Sequence, residues 1–166
     1  MAFSIRKASL SDYPIIARHR VGMFRDMGVL DASRETELTR ATSQYLQTAI
    51  PEGEYLGWLA EASDTREVIG GAGVQLRRIL PRADAGVPGL ELGPEAIVLN
   101  VYVESSWRRK GVAEALMRRL LDDVAARGIR RVVLHASPDG RRLYERLGFA
   151  ASNEMRLTQT PEGGRR

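Results

Sequence analysis

The apolar positions of this chain follow two periods, and the switch between them marks its elements. Residues 3–8 read as a first strand, with Phe3 and Ile5 on one face. Ser11 and Asp12 can cap a helix on which Ile15, Ile16, His19, Met23 and Met27 share one stripe, ended by Gly28. Pro14 fits its first turn, where the missing N–H would be unpaired anyway. The stripe reads as core, and His19 as a packed or solvated histidine, because no second ligand stands at metal spacing. Asp31 and Ser33 offer caps for a second helix through Leu38, Ala41, Tyr45, Leu46 and Ala49, closed by Pro51. Residues 55–60 and 67–76 read as a hairpin around a turn at 63–66. Gly70, Gly71 and Gly73 weaken its second strand. They mark a bulge or a close ligand approach, or equally a strand packed under a bulky neighbour.

Residues 77–94, with Pro81, Gly86, Pro88, Gly89, Gly93 and Pro94, predict a long loop that borders an acceptor site. The β-branched run at 96–103 predicts a buried central strand. A polar turn follows, then a helix carrying Val112, Ala115, Leu116, Leu120, Leu121 and Val124 at helical spacing. Another strand at 132–134 and a short helix around 140–147 come next, and residues 149–157 should return as strand. Residues 159–166 look like a frayed tail, which leaves 1–158 as a single domain. The order predicts an α/β sandwich around a mixed sheet.

The turn has a chemical use. The first amides of a helix lack intrahelical acceptors, and the dipole adds partial positive charge there. Gly111 lets a bulky anion approach the backbone, and Arg108, Arg109 and Lys110 surround it with full charges. A diphosphate fits such a turn. There is no G-x-x-x-x-G-K-[ST], since Lys110 precedes its glycine, and no G-x-G-x-x-G after a strand. Taken alone, the segment is equally an ordinary strand–turn–helix with a basic surface.

Charge sharpens the picture. Residues 1–103 carry eleven Lys+Arg against thirteen Asp+Glu, net −2, and residues 104–166 carry fourteen against eight, net +6. Basic charge gathers beside the proposed diphosphate turn, as a polyanionic ligand would require. Zero cysteines exclude disulfides, thiolate metal sites and a cysteine nucleophile. No run of about 18 apolar residues suggests a membrane span, and residues 1–7 lack the apolar core of a secretory signal. A cytoplasmic protein is the simplest expectation.

Two linked motifs then carry a resemblance. Arg108-x-x-Gly111-x-Ala113 fits the [QR]-x-x-G-x-[GA] acyl-CoA signature of the GNAT (GCN5-related) N-acetyltransferases, and Leu143-Tyr144-Glu145-Arg146-Leu147-Gly148-Phe149 resembles that family's L-Y-x-x-x-G-F block. They stand in the expected order, and the clear resemblance covers residues 95–150. It implies a mixed, mostly antiparallel central sheet flanked by helices and splayed at the cofactor-binding strand. It also implies transfer of an acetyl group from acetyl-CoA to an amine, with no metal, no nucleic acid and no membrane partner, and it admits a homodimer. Carried over, the amides of Arg109, Lys110, Gly111, Val112 and Ala113 hold the pyrophosphate beside Arg108. The backbone of Val101, Tyr102 and Val103 pairs with the pantetheine arm, a small case of strand addition. Tyr144 is the general acid for the leaving thiolate; phenol and thiol pKa values lie close enough for easy transfer.

Two positions depart from the family pattern. Ser137 stands where many relatives carry asparagine, with a shorter reach toward the cofactor. Asn100 lies where relatives often place an acidic residue, and an amide cannot take a proton. Glu54, Glu91, Glu104 and His135 are the candidates for a base or water relay. Absence of cysteine favours direct attack in a ternary complex. The alternative is a non-catalytic acyl-CoA-binding module, kept open by the missing base. A calculated pI near 9.8 alone suggests nucleic-acid binding, and no helix-turn-helix, zinc or RNP pattern accompanies it.

Overall fold

The computed structural model describes residues 2–83 and 88–157. One sheet runs in the order β1 (Phe3–Lys7), β2 (Tyr55–Ala62), β3 (Val68–Arg77), β4 (Glu95–Val103) and β5 (Val132–Leu134). Neighbours pair antiparallel from β1 to β4, and β5 pairs parallel to β4. A parallel neighbour needs a crossover, and α3 (Val112–Ala126) supplies it. The remaining helices are α1 (Tyr13–Asp26), α2 (Glu35–Ala49) and the short α4 (Arg141–Arg146).

Side chains alternate across a strand, so β2 feeds two cores at once, and every residue of it is buried. Leu56, Trp58 and Ala60 join Val74, Val98, Leu116, Leu120 and Val124 on the α3 face. Tyr55 and Leu59 join Ile16, Leu46 and Ala49 on the face of α1 and α2. The Trp58 indole N–H finds an acceptor in Asp123 of α3 at 2.6 Å, which satisfies the one polar atom of a ring that is 1% exposed.

A 3-10 turn at Leu10–Asp12 leads into α1. There Asp12 accepts the Ser9 amide at 2.7 Å, while Arg6 grips Asp12 at 2.8 and 2.9 Å and Glu61 at 2.5 Å. This network ties β1, β2 and the start of α1 together. The buried stripe of α1 is Ile16, Ala17, His19 and Val21. Met27, expected on that stripe, is 49% exposed because the helix stops at Asp26 and the chain turns at Gly28 with φ 67°. Tyr45 and Ala41 of α2 are likewise exposed, while Thr42, Leu46 and Ala49 face inward.

The three glycines of β3 serve bulge and packing. The β3–β4 register shifts between Gly71 and Gly73. A Cβ at Gly73 would overlap the Tyr55 ring, and one at Gly71 would come within 3.0 Å of Leu59 and 3.1 Å of His19.

The expected return strand does not form. Residues 149–157 have no regular structure and 151–157 are exposed, with Met155 at 94% and Leu157 at 87%. Ala150, Ala151, Ser152, Asn153 and Glu154 offer no alternating apolar set to bury, and three-residue β5 gives a short template. The expected tail at 159–166 lies outside the described residues. The long loop is bridged once, Arg82 to Glu91, and its described parts lie against Gly128, Arg130 and Arg131. That is the end of α3 away from Gly111, so these described parts of the loop lie away from the turn. Among the described residues no helix is long and apolar enough to cross a membrane.

Candidate functional site

Only three residue pairs join β4 to β5: Ala96–Val132, Ile97–Val133 and Val98–Leu134. Beyond Val98, β4 continues to Val103 with β3 as its sole strand partner among the described residues. Asn100 adopts φ 57° there, a left-handed conformation that few non-glycine residues take. Val101, Tyr102 and Val103 therefore lie along an edge that opens inside the sheet.

That edge runs directly into the basic turn. A 3-10 turn at Ser105–Trp107 is followed by extended Arg108, then Arg109 at φ 59° and Gly111 at φ 80°, where α3 begins. A Cβ added at Gly111 would meet nothing within 4 Å, so space stands open above the turn. Val112 is 1% exposed and anchors the first turn of α3 in the core. Its amide and that of Ala113 are among the four a helix leaves without an internal acceptor. These features fit an anionic group resting on the backbone.

The basic side chains divide their roles. Arg108 donates from Nε to the Val103 carbonyl at 2.9 Å, pairs with Asp26 at the end of α1, and holds its guanidinium 5.8 Å over the Tyr102 ring. It braces β4 against α1. Lys110 places its ammonium 5.2 Å over Trp107. Arg109 is exposed.

Tyr144 stands on α4 with its ring edge-on to Phe149 at 6.1 Å, packed against the main core. Burial pushes its hydroxyl pKa up, so it keeps its proton at neutral pH. Arg146 reaches Glu114 at 3.5 Å, which leans α4 on the first turn of α3. Ser137 spends its hydroxyl locally, accepting the Gly140 amide at 3.2 Å, while its carbonyl accepts the amides of Gly140 and Arg141. Among the base candidates, Glu104 is held by Arg18 at 2.8 Å, His135 lies 3.7 Å from Glu154, and Glu91 belongs to the loop away from Gly111.

Sequence reasoning missed a buried polar group on the α1 side of the β4 bulge. Asn100, 6% exposed, accepts from Arg20 at 2.9 Å and is hydrogen-bonded to the Tyr55 hydroxyl. The Arg20 guanidinium stacks 4.9 Å over Phe24. His19, 2% exposed, lies beside the same group, with Asn100 and Tyr55 sharing a small cavity. Burial, and then the charge of Arg18, pull its pKa down to about 4. Glu104 does not reverse this: at 3.8 Å from Nε2 it is beyond hydrogen-bond reach. The one legible signal was Asn100, a polar residue inside an apolar strand.

A family model described as the acetyltransferase (GNAT) family matches residues 24–149. Among curated proteins no sequence match is found. A crystal structure of a GCN5-related N-acetyltransferase from Ralstonia eutropha JMP134 superposes with a TM-score of 0.81 at 29% identity, covering 98% of this chain and 100% of that one. A predicted acetyltransferase from Clostridium acetobutylicum, solved with acetyl-CoA, has the same fold, with a TM-score of 0.80 at 24% identity over 95% and 96% of the two chains.

Proposed function

This chain belongs to the GNAT acetyltransferase family, and from that premise we propose that it transfers an acetyl group from acetyl-CoA to a primary amine by direct attack in a ternary complex. The amine belongs to a small molecule or to a protein or peptide. The reading is carried by one juxtaposition: an unpaired β4 edge that ends on an open helix N-terminus at Gly111. The amides of Arg109, Lys110, Gly111, Val112 and Ala113 hold the pyrophosphate, and the edge at Val101, Tyr102 and Val103 pairs with the amide-bearing arm.

Acetyl-CoA supplies a thioester carbonyl open to nucleophilic attack. A backbone amide of Val101 or Val103 donates to the carbonyl oxygen as charge develops on it. The neutral amine forms the C–N bond as the C–S bond breaks; the proton it sheds passes to solvent water, and solvent afterwards reprotonates the group that has supplied one to the departing sulfur. Tyr144, a phenol that is protonated at neutral pH, gives that proton to sulfur. Asn100 orients the acceptor and takes no proton.

Calorimetric titration with acetyl-CoA, run on the wild type and on Gly111→Glu, tests the cofactor assignment. Glutamate places bulk and negative charge above the turn, at a position whose φ of 80° already disfavours any side chain. Micromolar binding by the wild type and none by the variant is the expected result. Equal binding by both removes the turn from the reading. Thiol release across an amine panel then establishes turnover.

A further inference from the structure

We infer that Arg20 recognises an anionic group, carboxylate or phosphate, on the acceptor amine. The inference rests on the acetyl-transfer reading and names the class of amine. Arg6 meets Asp12 and Glu61, Arg18 meets Glu104 and Arg25 meets Glu35, while Arg34 and Arg40 are exposed to solvent. Arg20 is half-buried and has none within 4.0 Å among the described residues. Its surroundings are neutral: the Asn100 amide, the Phe24 ring, and the phenols of Tyr45 and Tyr55. A guanidinium carries five N–H donors, and one of them meets a protein acceptor here, at Asn100.

A desolvated cation without a counter-charge is costly to keep, and the burial that pushes the Arg20 pKa down expresses that cost. The arrangement holds the side chain firmly all the same. Asn100 fixes one edge, Phe24 supports the plane, and Tyr45, 41% exposed, lies toward solvent on the α2 side. Its place is equally specific. Asn100 is two residues beyond the last β4–β5 pair and immediately before Val101, where the stretch assigned to the thioester arm begins. An acceptor that anchors an anion on Arg20 would approach that stretch from the α1 face, opposite the face covered by α3.

The test compares matched amines with acetyl-CoA: an amino acid against its carboxamide, and an aminoalkyl phosphate against the amino alcohol. The wild type should favour the anionic member of at least one pair by about tenfold or more in kcat/KM, and the favoured pair identifies carboxylate or phosphate. Arg20→Met should bring that ratio near one while the acetyl-CoA KM stays unchanged. Arg20→Lys should restore part of it, since it keeps charge without the planar fork. Equal use of charged and neutral amines by the wild type, or a preference that survives Arg20→Met, overturns the inference and leaves the transferase reading intact. If no amine turns over, acetyl-CoA titration judges the transferase reading. The anion assignment is then read from the Arg20 Nε–Hε resonance, assigned by its loss in Arg20→Met, during titration with inorganic phosphate and acetate. A saturable shift supports it, and no shift overturns it.

Discussion

Tyr144 and Gly73 show how differently two residues yield to inspection. Tyr144 announces itself through its motif, and its setting suits the role, since burial and the edge-on Phe149 hold a protonated phenol in one orientation. Tyr144→Phe should lower kcat on a good acceptor by about 100-fold or more, with little change in acetyl-CoA affinity. Steady-state kinetics beside calorimetry separates the two, and unchanged turnover removes Tyr144 from the chemistry. Gly73 gives no such notice. Its need for glycine is set by the Tyr55 ring, eighteen positions away in sequence and across the β2–β3 ladder. No local pattern records that contact. Gly73→Ala should cost about 1–3 kcal/mol by overpacking, measured as a loss in urea unfolding free energy, whereas a change within a few tenths would show that Tyr55 can move aside.

Elements were legible where period and caps agreed, and their ends and faces were less so. The β4–turn–α3 unit could be read because a β-branched run, a glycine and a helical stripe stand in sequence. The face of α1 was partly misread. Helical spacing carried the apolar stripe on to Met27, but the helix ends at Asp26 and leaves that side chain in solvent. What fixes the start of α1 is the Arg6–Asp12–Glu61 network, which joins residues far apart in the chain. Its hydrogen bond to Arg6 holds the Asp12 carboxyl at about 2, below its ordinary 3.8. A depressed carboxyl stabilises the fold above the unfolded value and loses that contribution as pH falls through the folded one. Asp12→Asn should therefore be less stable than wild type at pH 7, and the gap should close between about pH 4 and pH 2. Urea midpoints across that range check it, and a constant gap would mean the ion pair contributes nothing.

At the scale of the whole molecule the mixed, mostly antiparallel sheet flanked by helices was legible through the sequence and its family resemblance, and the return of the chain after α4 was not. Taken in order, the sequence predicts a return strand at 149–157. The residues there lack the alternation needed to bury one face, and the chain leaves them exposed. The polar cluster of Arg20, Tyr55 and Asn100 was illegible for a related reason. Its members come from α1, β2 and β4, and only the packed fold brings them together.

The gap between β4 and β5 also sets a rhythm of hydrogen exchange. From Ala96 to Val98 the backbone of β4 is held from both sides, and beyond Val98 only by β3. Amides of residues 99–103 that face away from β3 should trade their protons for deuterium far faster than their neighbours. A single central strand would thus carry slow and fast positions in turn, and acetyl-CoA should slow the fast ones selectively. Exchange followed amide by amide would draw the line of the gap through the middle of an otherwise protected sheet.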